Sequence, residues 1–205
     1  MLHFILIALF VLSVKGQDAP PEENVQNDEI RFVKAACVTW ESSIKIQEYE
    51  SKDCTGTPST PFYIQASVCN SNQRFSVNGN AIKMEMFSDT HCAASILSMT
   101  HGTGECVQNG DRSRVYSINP ANHKVVEYSP HSTASCADNF APMYIGENDC
   151  TTAGSKFSCH ADGHVQYTTF GGNSCSGTET AINTLSNGCQ AIVAGMPVDG
   201  SKFLW

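Results

Sequence analysis

Two histidines four apart with a carboxylate between them, His160, Asp162 and His164, are the arrangement in this sequence with metal-like spacing. On a helix that spacing points both rings one way and chelates. Here Asp162-Gly163 is a turn signal. A two-residue turn would pair Ala161 with His164 and send His160 to the opposite face of its strand. A three-residue turn would bring the two rings together. The reading therefore assigns no metal and no cofactor, and keeps His160 and His164 as the candidates. His91 and His101 flank Cys92 with no carboxylate cluster beside them and read as surface imidazoles.

Glycoside hydrolysis needs two carboxylates in one cleft, and Glu48, Asp53, Asp149 and Glu179 are candidates for such a pair. Nothing in the sequence selects two of them. No Gly-Xaa-Ser-Xaa-Gly elbow offers a serine nucleophile. Ten cysteines are an even number, which leaves no odd thiol for catalysis.

Those cysteines carry the strongest pattern in the chain. Ten, eight and five positions before Cys54 stand Ile44, Ile46 and Tyr49. The same count gives Ile82, Met84 and Phe87 before Cys92, Val165, Tyr167 and Phe170 before Cys175, and Phe140, Pro142 and Ile145 before Cys150. Eleven of these twelve are apolar, where a 41% hydrophobic composition supplies about five. Apolar residues two apart share one face of a strand. The residue five before the cysteine is out of phase, as at a bulge or bend. The unit reads as turn, strand, anchor and cysteine, with Tyr49, Phe87, Ile145 and Phe170 as buried anchors. The phrase from Tyr49 through Asp53-Cys54-Thr55-Gly56-Thr57 resembles short cysteine repeats in secreted and surface proteins of amoebae and slime moulds. That resemblance implies an extracellular role and carries over no functional residue.

Cys92 and Cys106 are fourteen apart, as are Cys175 and Cys189, and five cysteines fall in each half. The expectation is a duplicated, disulfide-rich antiparallel β domain, sandwich- or barrel-like, in two packed halves at residues 31–118 and 124–205. Residues 119–123 would form a hairpin turn joining them. Asn78-Gly79, Asn109-Gly110, Asp162-Gly163, Asn187-Gly188 and Asp199-Gly200 are spaced as turns of an all-β chain. Residues 93–99 and 179–185 read as one or two helical turns each. Trp40, Phe62, Tyr63, Phe75, Phe157 and Phe203 read as core rather than as a binding platform.

Residues 1–16 read as a secretory signal peptide, with an apolar run too short to span a bilayer and Val14 and Gly16 before the cut. Residues 17–30 hold five of the twenty acidic residues, no basic one, and Pro20-Pro21, and read as a disordered acidic arm. A net charge of −8 argues against nucleic acid or an anionic membrane as partner. No later apolar run is long enough for a membrane span.

In an oxidising compartment all ten cysteines should pair: Cys37, Cys54, Cys69, Cys92, Cys106, Cys136, Cys150, Cys159, Cys175 and Cys189. The local expectation joins Cys54 to Cys69, Cys92 to Cys106, Cys150 to Cys159 and Cys175 to Cys189, leaving Cys37 to Cys136. Parity is firmer than any single pair. Five cysteines cannot pair among themselves, so at least one bridge must join the halves. The function this favours is a secreted, non-catalytic matrix, adhesion or signalling module that binds a protein or glycan. The alternatives are a small hydrolase with paired carboxylates, or a defence or inhibitor protein.

Overall fold

The computed structural model describes residues 32–119, 121–138 and 142–191. Residues 1–16, residues 17–30, Phe140, Asp199-Gly200 and Phe203 therefore lie outside the described residues. Every described element is a strand. In chain order the first eight are β1 (Phe32–Trp40), β2 (Ser43–Tyr49), β3 (Phe62–Gln65), β4 (Cys69–Asn70), β5 (Gln73–Asn78), β6 (Ala81–Phe87), β7 (Ser95–Gly102) and β8 (Cys106–Asn109). The rest are β9 (Arg112–Asn119), β10 (His123–His131), β11 (Met143–Gly146), β12 (Ser155–Cys159), β13 (Val165–Phe170), β14 (Glu179–Leu185) and β15 (Gln190–Ala191).

Turn chemistry sets the hairpins. Asn78 pairs with Ala81 and Asn109 with Arg112, so each loop is two residues long and begins at a glycine. Gly79 and Gly110 have φ of 59° and 65°, as a type II′ turn demands of its first central residue. The segments expected to be helical are instead β7 and β14, the outer strands beside β6 and β13. Helical signal over seven residues is too weak to compete with a ladder already nucleated by the preceding hairpin.

The strands form four antiparallel sheets, in the orders β3-β2-β9-β8, β4-β5-β6-β7, β11-β10-β1-β15 and β12-β13-β14. None closes on itself among the described residues, so the architecture is sandwich-like and not a barrel. Ile44, Ile46, Phe62, Phe75, Ile82 and Tyr116 make one core, shared by the first two sheets. Val33, Val126, Tyr128, Phe157, Val165 and Tyr167 make another, shared by the last two. A third cluster of Trp40, Tyr63 and Val125 lies between these cores. Phe62, Tyr63, Phe75, Phe157 and Trp40 are all buried, as expected of core aromatics.

Strand pairing does not follow the division at residues 118 and 124. β9 and β10 belong to different sheets and do not pair with each other, so they are not the two arms of a hairpin. β1 pairs with β10 from Phe32 opposite His131 to Trp40 opposite His123. β2 pairs with β9 from Ser43 opposite Asn119 to Tyr49 opposite Ser113. The chain thus makes one long bent ribbon, β1–β2 against β9–β10, which passes from one sandwich to the other. β1 holds beside β10 the place that β9 holds beside β2.

All ten cysteines are bridged and none is free: Cys37–Cys159, Cys54–Cys106, Cys69–Cys92, Cys136–Cys189 and Cys150–Cys175. None of the five locally expected pairs forms. Most of the cysteines sit at or beyond strand ends, Cys37 in the middle of β1 being the exception, and each partner is whichever cysteine the sheet packing brings across from it. The parity requirement is met by Cys37–Cys159, 122 residues apart.

Cys54, Cys92, Cys136 and Cys175 follow β2, β6, β10 and β13 and share a left-handed backbone, with φ of 57°, 55°, 49° and 51°. Counting ten, eight and five back from Cys136 gives Val126, Tyr128 and His131, all buried. Cys136, and not Cys150, is therefore the geometric match to the other three. His131 is polar, which is why the apolar pattern in the sequence does not include Cys136. Of the four expected anchors, Phe87 and Ile145 are buried at 3% and 2% exposure. Tyr49 and Phe170 are only half-buried, which corrects the expectation for both. Each is the last residue of its strand, at the rim, where Lys156 reaches over the Phe170 ring.

Candidate functional site

A groove of about 440 Å³ lies between the two sandwiches. Alternation along β2 creates its floor. Ile44 and Ile46 point into the core, so Lys45 and Gln47 point the other way into the groove. One lip is residues 57–61, between β2 and β3. The other is built from residues 149–152, past a turn in which Asn148 takes φ of 65°, together with Asn173 and Ser174. The lips are fastened where Thr60 Oγ1 accepts the Thr152 amide at 2.8 Å.

Asp149 is the electrostatic centre. Lys45 Nζ lies 3.2 Å from Oδ2 and donates to Oδ1 at 3.4 Å, and both side chains are about one-quarter exposed. The Tyr63 hydroxyl donates to Asp149 Oδ2 in a short hydrogen bond. Burial pushes the Tyr63 phenol far above its ordinary value, and the adjacent carboxylate pushes it further, so it stays a donor at any physiological pH. Its ring stacks on His123 with centroids 5.1 Å apart. The His123 Nε2 is buried without a hydrogen-bond partner. Gly146 makes this approach possible, since a Cβ there would stand 2.5 Å from Tyr63 Oη and 2.8 Å from Asp149 Oδ2.

Of the four candidate carboxylates, only Asp149 lines the groove. Glu48 is taken by Arg114 across the ladder, with contacts of 2.6 and 2.7 Å. Asp53 is exposed and accepts the Thr55 hydroxyl at 2.7 Å, and Glu179 is exposed on β14. A glycosidase acid must hold its proton near neutrality. Every carboxyl group here with a resolved shift, at Asp53, Glu85, Asp89, Asp138 and Asp162, moves downward.

The histidine pair differs from the two-residue-turn expectation. His160 N–H donates to the His164 carbonyl at 2.9 Å across a three-residue loop, in which Gly163 has φ of 85°. The two residues are thus opposite one another. Their rings turn to protein partners: His160 Nε2 to Gln166 at 3.2 Å, and His164 Nδ1 to Asp162 at 2.9 Å. Among the described residues no group of three or more metal-ligating side chains comes together. His91 is exposed, while His101 stacks on Tyr116 at 5.7 Å.

Lys45, His123 and Gly146 carry no signal in the sequence, and Tyr63 reads there only as a core aromatic. Lys45 is an ordinary solvent-side strand residue until the second sandwich is brought against it. Asp149 is legible in the sequence as one of four candidate carboxylates, without its partners. As a chemical surface the groove offers one ammonium, one carboxylate and many hydroxyls and amides, whose character is that of hydrogen-bonded recognition. No family model matches the chain, and neither a curated protein nor a solved structure matches it.

Proposed function

We propose that this chain is a secreted, duplicated, disulfide-stabilised β protein of the extracellular space, and that its groove binds a glycan. The observation that carries the reading is the groove's lining. Gln47, Thr57, Ser59, Thr151, Asn173 and Ser174 surround the Lys45–Asp149 pair, Pro58, Pro61 and Cys150 add apolar contact, and no aromatic or large aliphatic side chain lines the groove. Protein interfaces concentrate aromatic and apolar anchors at their centre, which this surface lacks. Sugars present arrays of hydroxyls that need both donors and acceptors, and a volume of about 440 Å³ suits one or two rings. Five disulfides are compatible with an oxidising location. No helix among the described residues is long and apolar enough to cross a membrane.

A glycan array probed with the oxidised chain tests the reading, with hits titrated by calorimetry. Lys45→Ala and Asp149→Asn should each abolish binding of the same glycans while circular dichroism stays unchanged. Failure to bind any glycan, or binding that survives both substitutions, overturns it.

A further inference from the structure

Among the described residues eight strands lie at sheet edges, and seven of them are guarded. β3, β4, β8, β11, β12 and β15 are two to five residues long, and β14 carries Glu179 at its start and buries Leu185 at its end. β7 is the exception. It runs eight residues, Ser95–Gly102, and pairs only with β6 among the described residues, so its other side presents backbone groups that no strand there pairs, except at the end, where the Gly102 amide donates to Glu105 Oε2 at 2.6 Å. It contains no proline, lysine, arginine or carboxylate, and its one protective irregularity is a bulge at its start, where Leu97 faces Met86 and Ser95 faces Phe87, so the stretch from Leu97 onward is regular. Ile96 and Leu97 on it are 65% and 46% exposed, two of the four exposed large hydrophobics. An unpaired backbone edge specifies its occupant chemically: another extended strand.

We propose that the occupant is β7 of a second copy, added antiparallel about a two-fold axis through Ser98. In antiparallel pairing, opposed residues share a face, so an axis through Ser98 sets Leu97 against Met99 and Ile96 against Thr100. The strand is self-complementary in this register, with an apolar pair on the core face and a β-branched pair on the other. Charge favours the same place. A chain of net charge −8 repels its copies over most of its surface, but not at this uncharged strand. The nearest charge in the central row is Glu85, opposite Ser98 on β6. Glu85 is neutralised by Lys83 at 2.8 Å and Arg74 at 3.0 Å. The two copies of Glu85 would stand three strand spacings apart, about 14 Å, beyond the screening length of about 8 Å at physiological salt. The dimer presents two grooves, so a surface bearing many glycans would be held with avidity. The association itself does not depend on the groove reading.

Sedimentation of the full oxidised chain between about 1 µM and 1 mM should show a monomer–dimer equilibrium. Ser98→Lys and Ser98→Glu each place like charges directly opposite across the axis, and each should weaken dimerisation by about tenfold or more. An equimolar mixture of the two variants should restore it. Hydrogen exchange of the unaltered chain gives a measurement free of folding effects: β7 amides should gain protection as concentration rises. A monomer throughout the range overturns the proposal, as does a dimer indifferent to both charges. Protection of β7 that is independent of concentration overturns it too, because the edge would then be covered from within the chain.

Discussion

The two sandwiches are built on one plan but assembled differently. The sandwich holding β2–β9 is continuous in the chain, and its two bridges, Cys54–Cys106 and Cys69–Cys92, span 52 and 23 residues. The other has matching bridges, Cys136–Cys189 and Cys150–Cys175, spanning 53 and 25 residues. Yet its sheet is incomplete without β1, delivered from the far end of the chain. Only this sandwich has a third bridge, Cys37–Cys159, from β1 to β12. The difference teaches where a covalent tie matters most. β1 closes its sheet against β10 from 83 to 99 residues away (Trp40 to His123, Phe32 to His131), a larger loop-closure entropy than that of β2 against β9, and there the extra disulfide sits. The cores differ in the same sense. Tyr128, Phe157 and Tyr167 are fully buried in the second, against Ile44, Ile46 and Ile82 in the first.

The sharpest way to break this comparison is to remove the third bridge. Cys37→Ala with Cys159→Ala should lower stability by about 4–5 kcal/mol, the chain-entropy value for so long a loop. Hydrogen exchange should accelerate first in β1 and β10, before β2 and β9. Simultaneous loss in both ladders would mean that the sandwiches do not differ in this way.

A next step compares equivalent rim positions. Phe87 at the end of β6 is 3% exposed, and Phe87→Ala should cost about 3–5 kcal/mol. Phe170 at the end of β13 is half-buried, so Phe170→Ala should cost less than half as much. Equal costs in chemical denaturation would show that burial at the rim is not what distinguishes them.

These positions also mark how far the sequence could be read. Strand alternation, glycine turns and an even cysteine count are local or arithmetic properties, and they led to an all-β, fully bridged chain with at least one tie between the halves. The pairing of β1 with β10 is non-local, and no periodicity in residues 32–40 says which sheet receives them. Disulfide partners failed for the same reason, since they depend on which strand ends meet. Burial at minus five depends on what packs over each strand end, so Tyr49 and Phe170 missed while Phe87, also the last residue of its strand, and Ile145 did not. The groove was legible only at Asp149. Its other members acquire meaning when two sandwiches meet, a fact written in no single segment.

The contact that joins the sandwiches gives a smaller effect. Gly146→Ala forces Tyr63 off Asp149, and overpacking of this kind costs about 1–3 kcal/mol. Ligand affinity at the groove should fall more than either core is weakened, because Asp149 loses the donor that orients it. Unchanged groove binding with lowered stability would detach Tyr63 from the site.

The mildest test sets two carboxylates side by side. Asp89, three before Cys92, accepts the amides of His91, Ala93 and Ala94. Asp138, two after Cys136, accepts the Ser132 amide and hydroxyl and faces the His131 ring at 2.9 Å. They approach from opposite sides of the cysteine, yet each ties down the bend that holds it left-handed. The Ala94 and Ala93 amides lower Asp89. Burial opposes the shift at Asp138, but the Ser132 donors and His131 outweigh it and hold the carboxyl well below its ordinary value. A carboxyl depressed in the folded state binds its proton more readily when unfolded. Its contribution is therefore complete above the ordinary value of 3.8 and is lost as pH falls through the lower folded value. The melting temperature of the unaltered chain should fall on acidification below about pH 4. Asp138→Asn and Asp89→Asn should lower it at pH 7 and flatten the acid slope. The flattening should be greater for Asp138, the more strongly depressed of the two. Parallel acid slopes in both variants and the unaltered chain would show that neither carboxylate ties its cysteine bend through ionisation, and the likeness of the two bends would then rest on backbone geometry alone.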